Sequence, residues 1–536
     1  MAPGHLVHSH AHEEALPGTV NLKAAEGDDT AYGQALYPVP DENPNDPLQW
    51  SKTKKSLILV VCSLYSFLGN CALLGPSVYI GLFSELFGIT PTKASDLISY
   101  PNLAFGFGSL ILVPLYLKIG RRPVMLGSMV LFAAGLIGAS QATTFEGLMV
   151  ARVIHGFGSG VCEALPVQLV NDIFFLHERG ARIGYYTVCL CLGSLGPLFA
   201  GYMLAGGYSW QLFFYVVFAF AMALLIFAFF VVEETAYKRG KTVSIPGSRA
   251  SPENDLEYEK NADASSHAEV ATVLPPRKTF VQTLKIWNGT DKDQEFWIMI
   301  PRSFTYFLVP QVLWVVTSFG IYIGLGALAF NYTFPLKITA PPYNWTRTNS
   351  GLITIASLVG FIIAIPFLQS SDRLAARLTR KNDGIREAEM RLGVMLPAMV
   401  IAPAGIILYG MAAEHDLHWI AYFFGVAMDQ IGALFYFSFT LAYAVDSYQS
   451  NTSEMLIAMN LGKQAISFGM GIYLLDWIQE RGFAVTISGI FASILLANNL
   501  MLLVFMCKGK SIRIFMSKTW LARLHKSTIK TVGEVA

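Results

Sequence analysis

Charge is what this sequence lacks. Asp, Glu, Lys and Arg supply only 14% of its 536 residues, hydrophobic types supply 53%, and the formal net charge is +1. Soluble domains carry about 25% charge. A chain this long needs a solvated surface and has too little charge to make one. That argues against an ordinary cytosolic enzyme and against disorder over most of the length. No basic domain stands apart, so nucleic acid is not an expected partner. Cysteines number six. Cys62, Cys71, Cys162, Cys189, Cys191 and Cys507 lie in or beside apolar stretches, as small buried hydrophobes do, and suggest neither a disulfide framework nor a zinc site. No Gly-x4-Gly-Lys-Ser/Thr loop occurs, so ATP is not the direct energy source. No nucleophile–base pair is evident, and neither enzyme activity, a cofactor nor a metal is expected.

What is present is a series of apolar blocks of roughly 20 residues, long enough to cross a hydrocarbon core of about 30 Å as helix. Six lie near 57–80, 94–117, 123–141, 146–168, 183–204 and 210–232. Six more lie near 303–330, 349–369, 393–412, 419–444, 455–478 and 483–507. In lipid each must be a helix, because a lone strand cannot satisfy its backbone groups there. The expected fold is all-α integral membrane, with 12 transmembrane helices as two six-helix pseudo-repeats. The expected parts are a disordered tail (1–54), a six-helix bundle (55–232), a polar linker (233–297), a second bundle (298–507) and a basic tail (508–536). The tail has no apolar core of a cleaved signal peptide, and its His8-Ser9-His10-Ala11-His12 run lacks a carboxylate or cysteine shell.

Lys and Arg set the orientation. One set of loops holds Lys118, Arg121, Arg122, Arg179, Arg182, Arg373, Arg377, Arg380, Lys381, Arg386 and Arg391, and the tail adds Lys508, Lys510, Arg513 and Lys518. The other set holds only Lys93, Lys337, Arg347 and Arg481. The asymmetry puts both termini in the cytoplasm. Sequons at Asn331 and Asn344 then fall in an outer loop, where glycosylation is expected, while Asn288 and Asn451 fall inside.

Ionisable groups inside the blocks are expensive and mark candidate sites. The fourth block reads Ala151-Arg152-Val153-Ile154-His155-Gly156-Phe157-Gly158-Ser159-Gly160-Val161-Cys162-Glu163. As one continuous helix it would put Arg152 and Glu163 on one face, about 16 Å apart, with His155 within about 60° of Arg152. Either they form a proton- or cation-handling face, or they pair structurally with a neighbour. Asp429 should sit near mid-depth in the tenth block, a candidate cargo or proton site. Asn70, Gln311, Gln430, Asn460 and Gln464 are further polar candidates, and Trp314, Tyr322, Phe435 and Tyr436 could line a cavity. Lys463 is expected to snorkel to the inner interface. In the fifth block, Gly193, Pro197 and Gly201 recur every four residues beside Gly196, and Pro197 permits a bend.

Four signatures resemble the major facilitator superfamily, and more closely its twelve-helix drug:proton antiporter branch from fungi. Leu117-Lys118-Ile119-Gly120-Arg121-Arg122-Pro123 looks like the family's inner-loop gating motif, with Leu117 where an acid is usual, and Asp372-Arg373 occupies the same slot of the second half. Arg152 within Arg-x-x-His-Gly-x-Gly looks like the fourth-helix motif whose arginine is implicated in proton coupling, with His155 in place of Gln. Gly193 to Gly201 looks like the antiporter motif, with Ala200 replacing a glycine. Asn43–Trp50, Phe175–Gly180 and Arg386–Leu392 resemble fungal members. The resemblance covers roughly 45–507. It implies the major facilitator fold and two halves rocking about a central site. It also implies proton-coupled efflux of a drug or secondary metabolite across the plasma membrane by a monomer, with Glu163 exchanging a proton under the influence of Arg152. Proton-coupled import of organic cations such as polyamines, or a transporter-like sensor, are the alternatives.

Overall fold

The computed structural model describes residues 12–13, 16, 18–22, 38, 40–41, 43–237, 276–291, 296–448 and 452–526. His8 and His10, the polar 248–255 stretch and Asn451 lie outside them. Among the described residues, 11 helical segments are long and apolar enough to cross a bilayer. The first half holds α1 (Lys52–Phe87), α2 (Pro91–Ile119), α3 (Arg121–Gln141), α4 (Phe145–Ile173), α5 (Leu176–Ala205) and α6 (Gln211–Val231). The second holds α7 (Pro310–Thr339), α8 (Asn349–Lys381), α9 (Ala388–Glu414), α10 (Ile420–Ser447) and a segment Thr452–Ser517 of 66 residues. As unbroken helix that last segment would run about 100 Å, three times a hydrocarbon core. It breaks at Gly482, whose φ of 79° leaves the helical region. The parts are α11 (Thr452–Phe483) and α12 (Ala492–Ser517), giving twelve crossings among the described residues.

The helix surfaces fit lipid rather than water. Phe220, Val400 and Phe424 are each more than 60% exposed. The helices also break where their sequences demand it. Gly75-Pro76 opens a 3-10 stretch in α1, Gly160 to Glu163 forms a turn inside α4, and Gly193–Leu195 is a 3-10 stretch ahead of Pro197 in α5. Tyr322–Leu328 is a π-helical turn in α7, a feature frequent at functional sites.

Several expected boundaries move. The seventh crossing lies at Pro310–Thr339 rather than 303–330, and Phe296–Thr305 is a separate short helix. Asn331 therefore belongs to α7, 5% exposed, and not to a loop, so it offers no surface for a glycan. Asn344 stays exposed in the loop between α7 and α8, and Asn288 is exposed as well. The first part of the basic tail extends α12 to Ser517. Glu233 and Glu234, expected in the linker, are buried against the first bundle.

The N-terminal tail is not wholly unstructured. Strand β1 (His12–Glu13) pairs antiparallel with β2 (Thr19–Asn21), which pairs antiparallel with β3 (Ile385–Glu387) between α8 and α9. Val20 and Leu22 bury against Leu176 at the start of α5. Arg513 in α12 donates to Thr19 Oγ1 at 3.2 Å. Thr19, ahead of α1, and Arg513, late in α12, thus meet on one face, which requires an even number of crossings between them and agrees with the division at Gly482.

Candidate functional site

The two halves meet where α2 and α4 pack on α11, and again where α5 packs on α8 and α10. Glu163 sits in the turn that interrupts α4, so its carboxylate leaves the helix line and Oε2 pairs with Lys463 Nζ of α11. Lys463 is 1% exposed and does not snorkel. It lies 11 residues into α11, about 16 Å along the axis and beyond easy reach of either interface. The Phe105 and Phe319 rings flank the ammonium at 5.7 and 5.6 Å.

Lys463 belongs to a stripe. Asn460, Lys463, Gln464 and Ser467 follow the helical repeat on one buried face of α11. Asn460 Nδ2, Gln464 Oε1 and Ser467 Oγ are buried without a hydrogen-bond partner. Each such atom costs about 1–3 kcal/mol. Three of them fall on one face of α11.

The halves touch on both sides of this stripe. On the terminus-bearing side Ser453 Oγ donates to Gln168 Oε1 at 2.9 Å, Gln369 Nε2 donates to Tyr185 OH at 2.9 Å, and Gly180 leaves no room for a Cβ beside Asp372. On the other side Thr92 Oγ1 donates to Asp476 Oδ1 at 3.2 Å, and a Cβ on Gly351 would lie 2.5 Å from the Pro197 carbonyl oxygen. Between them Glu163, Tyr186, Phe319, Met459, Asn460 and Lys463 line a cavity of about 10 Å³, room for about one water. The arrangement is closed at both ends.

Backbone carbonyls, rather than Glu163, take the Arg152 guanidinium. Its Nη1 donates to the Ala72 carbonyl at 2.9 Å, Nη2 to Leu73 at 2.8 Å, and Nε to Leu97 at 2.5 Å. Ala72 precedes Pro76 by four residues, and Leu97 precedes Pro101 by four. Proline has no N–H, so both carbonyls lack their helical donor. Arg152 supplies it, fully buried. His155 lies 3.3 Å from Arg152 Nη1 and packs edge-on to Phe132. Its backbone abuts Gly135 of α3.

Other candidates fall elsewhere. Asp429 is fully buried in the second half, held by Gln430 Nε2 at 3.1 Å and pressed against Gly326 of the π-helical turn, with Oδ1 unpartnered. Asn70 donates to the Leu190 carbonyl at 2.9 Å, beside the α5 break. Gln311 accepts from Tyr448 OH at 3.3 Å. Inside the second half Trp314 packs edge-on to Tyr436, which lies tilted against Tyr322, and Phe435 packs on Phe439. Gly193 and Gly196 let α5 approach α1, since Cβ atoms there would lie 2.7 Å from Asn70 Cβ and 2.5 Å from the Cys71 carbonyl oxygen. Gly201 is buried as well.

The basic loop Lys118–Arg122 has its acid outside the motif. Glu234, just past α6, accepts from the backbone N–H groups of Arg121 and Arg122 at 3.0 and 3.1 Å, capping α3. Gly120, at φ 112°, leaves room for that carboxylate. Arg121 pairs with Asp172 at 3.2 Å, and the Lys118 carbonyl accepts from Asp291 N at 2.7 Å. In the second half Asp372 faces Arg386 at 3.9 Å and Arg391 at 3.7 Å, and both arginines reach Asp446. Burial lowers the Arg386 guanidinium below its ordinary value, against the pull of Asp446 and Asp372. Arg373 is exposed and donates to its neighbour Gln369 at 3.1 Å.

Similar proteins match this geometry in outline. A solved structure of the proton:xylose symporter XylE superposes with a TM-score of 0.53 at 14% identity, covering 86% of this chain and 96% of that one. The human organic anion transporter MFSD10 gives 0.51 at 15%, covering 84% and 99%. An uncharacterized MFS-type transporter of Schizosaccharomyces pombe is 24% identical, covering 88% of each chain. Protein HOL1 of Saccharomyces cerevisiae is 22% identical over 88% of this chain and 91% of its own. The MFS transporter fsa7 of a Fusarium species is 26% identical over 78% and 77%. Residues 58–475 match the family model of the Major Facilitator Superfamily. With two bundles closing on a central polar stripe and a family match over most of its length, the chain belongs to the major facilitator superfamily.

Proposed function

We propose that this membrane transporter is a proton-coupled exporter of a small organic compound, placed in the plasma membrane with both termini in the cytoplasm. The observation that carries the reading is the buried Glu163–Lys463 pair, which joins the two halves beside three unpartnered polar atoms of α11. A proton on Glu163 removes the charge that compensates Lys463. The pair then no longer holds the halves together, and for export cargo and proton take the site in turn. Cargo from inside meets Asn460, Gln464 and Ser467 while Glu163 is ionised, and a proton reaching Glu163 from outside displaces it. Coupling passes through Lys463 in this scheme, and Arg152 keeps α1, α2 and α4 together. Asp429 is a second candidate proton site. Export is supported by the break at Gly193–Leu195, which lies in the segment that resembles the antiporter motif.

A second reading, inward symport, is favoured by one observation. Protonated Glu163 leaves a bare ammonium, which suits an acceptor-rich or anionic cargo entering with the proton and counts against a cationic one. Flux in proteoliposomes under an imposed pH gradient separates the readings. Export predicts accumulation against the proton flow, and symport predicts accumulation with it. Glu163→Gln should abolish the response to the gradient, and gradient-driven flux in that variant would remove Glu163 from the mechanism.

A further inference from the structure

The terminus-bearing side holds a second cavity, of about 470 Å³, where the start of α1, the end of α6 and the returning linker meet. Lys54, Arg122, Arg277 and Lys278 line it, and among the described residues Glu233 is the carboxylate in the lining. Glu233 is already engaged by Lys54, whose ammonium lies 3.8 Å from the Trp50 ring centroid. Arg122 is 1% exposed; its Nη groups donate to the Phe229 and Thr283 carbonyls, and its buried Nε has no partner. The wall is built rather than accidental. Asn45 donates through Nδ2 to the Pro276 carbonyl at 3.2 Å and accepts through Oδ1 from Lys278 N at 3.0 Å. Leu57 and Phe230, 41% and 53% exposed on spanning helices, stand at its edge.

Excess positive charge calls for an anion, and apolar side chains exposed beside it call for hydrocarbon. A free phosphate ion would use only the first. Basic pockets between spanning helices at this depth suit lipid headgroups. We propose that this cavity holds the headgroup of an anionic glycerophospholipid from the adjoining leaflet, with its acyl chains over Leu57 and Phe230. Through Arg122 the lipid reaches the gating loop, so leaflet composition tunes the gate.

The test uses the purified full chain in detergent, titrated with phosphatidylserine or phosphatidylcholine, with bound lipid counted by native mass spectrometry. Phosphatidylserine should bind in preference. Arg277→Gln with Lys278→Gln should weaken it roughly 25-fold, about fivefold for each basic group. The wall survives this change, since Lys278 meets Asn45 through its backbone N–H. A control, Arg380→Gln with Lys381→Gln, removes equal charge from the exposed end of α8. Equal losses in the two double variants would mean general surface attraction and overturn the proposal. Displacement of phosphatidylserine by inorganic phosphate at equal concentration would make this a phosphate site and overturn the lipid assignment.

Discussion

Removing one partner of the Glu163–Lys463 pair should cost far more than removing both. Lys463 is 1% exposed and Glu163 12%, so the lysine is the more deeply stranded when its partner goes. Truncating one member of a buried ion pair costs about 3–5 kcal/mol, because the other charge remains buried and uncompensated. Glu163→Gln should therefore destabilise by about 3–5 kcal/mol, and Lys463→Met by less, since Glu163 retains some contact with solvent. The double variant leaves no orphan charge and should return to within about 1 kcal/mol of the original stability, because well-packed replacements of such pairs are often neutral. Detergent-titrated unfolding of the four proteins in mixed micelles gives the coupling energy directly. Single costs that simply add in the double variant would refute the pair and the reasoning built on it.

Three further outcomes follow from particular contacts. Arg152→Met should cost about 2–6 kcal/mol by leaving the Ala72 and Leu97 carbonyls without donors, and less in a Pro76→Ala, Pro101→Ala background that restores their helical N–H groups; the same unfolding titration decides, and equal costs would count against the proline argument. His525 stacks on Tyr306 at 4.1 Å, and burial, with the positive Arg302 nearby, holds its imidazole down to about 4. An unfolded histidine titrates near 6.5, so docking of Trp520–Lys526 should be complete above that pH and weaken as pH falls towards 4; hydrogen exchange should report the loss, His525→Phe should remove the pH dependence, and pH-independent exchange in the unaltered protein would contradict it. Asn344→Gln should remove any glycan shift on a gel and Asn331→Gln should remove none, because of these two Asn344 is exposed and Asn331 is buried.

The apolar blocks made the crossings legible, because bilayer thickness fixes helix length and the backbone has no other solution in lipid. Their ends were less legible. The seventh crossing is displaced since Asn331 and Thr333, polar by type, are buried within α7, where Thr333 Oγ1 donates to the Ala329 carbonyl at 2.7 Å. The candidate site was half legible. Glu163 stood out as an intramembrane acid, yet its partner lies 300 residues away in the other half, and nothing along one helix shows what faces it. Depth was the missed signal, because a lysine 11 residues inside a span cannot snorkel easily. Arg152 was read as functional because its proline-freed acceptors, Ala72 and Leu97, sit on two other helices. Glu234 was passed over as linker, although a pair of acids directly after α6 and a basic loop without its usual acid are complementary. The pairing of Thr19–Asn21 with Ile385–Glu387 joins segments more than 360 residues apart, and no local pattern announces it.

The central claim is that the halves open alternately about the Glu163–Lys463 pair, driven by the proton on Glu163. Spin labels at His177→Cys with Arg373→Cys span the terminus-bearing end, and labels at Tyr208→Cys with Asn344→Cys span the other; all four residues are exposed. Distances measured in lipid at neutral and acidic pH should change in opposite senses at the two ends, and Glu163→Gln should fix them. Ends that move together, or a Glu163→Gln protein that still responds to pH, would contradict the account.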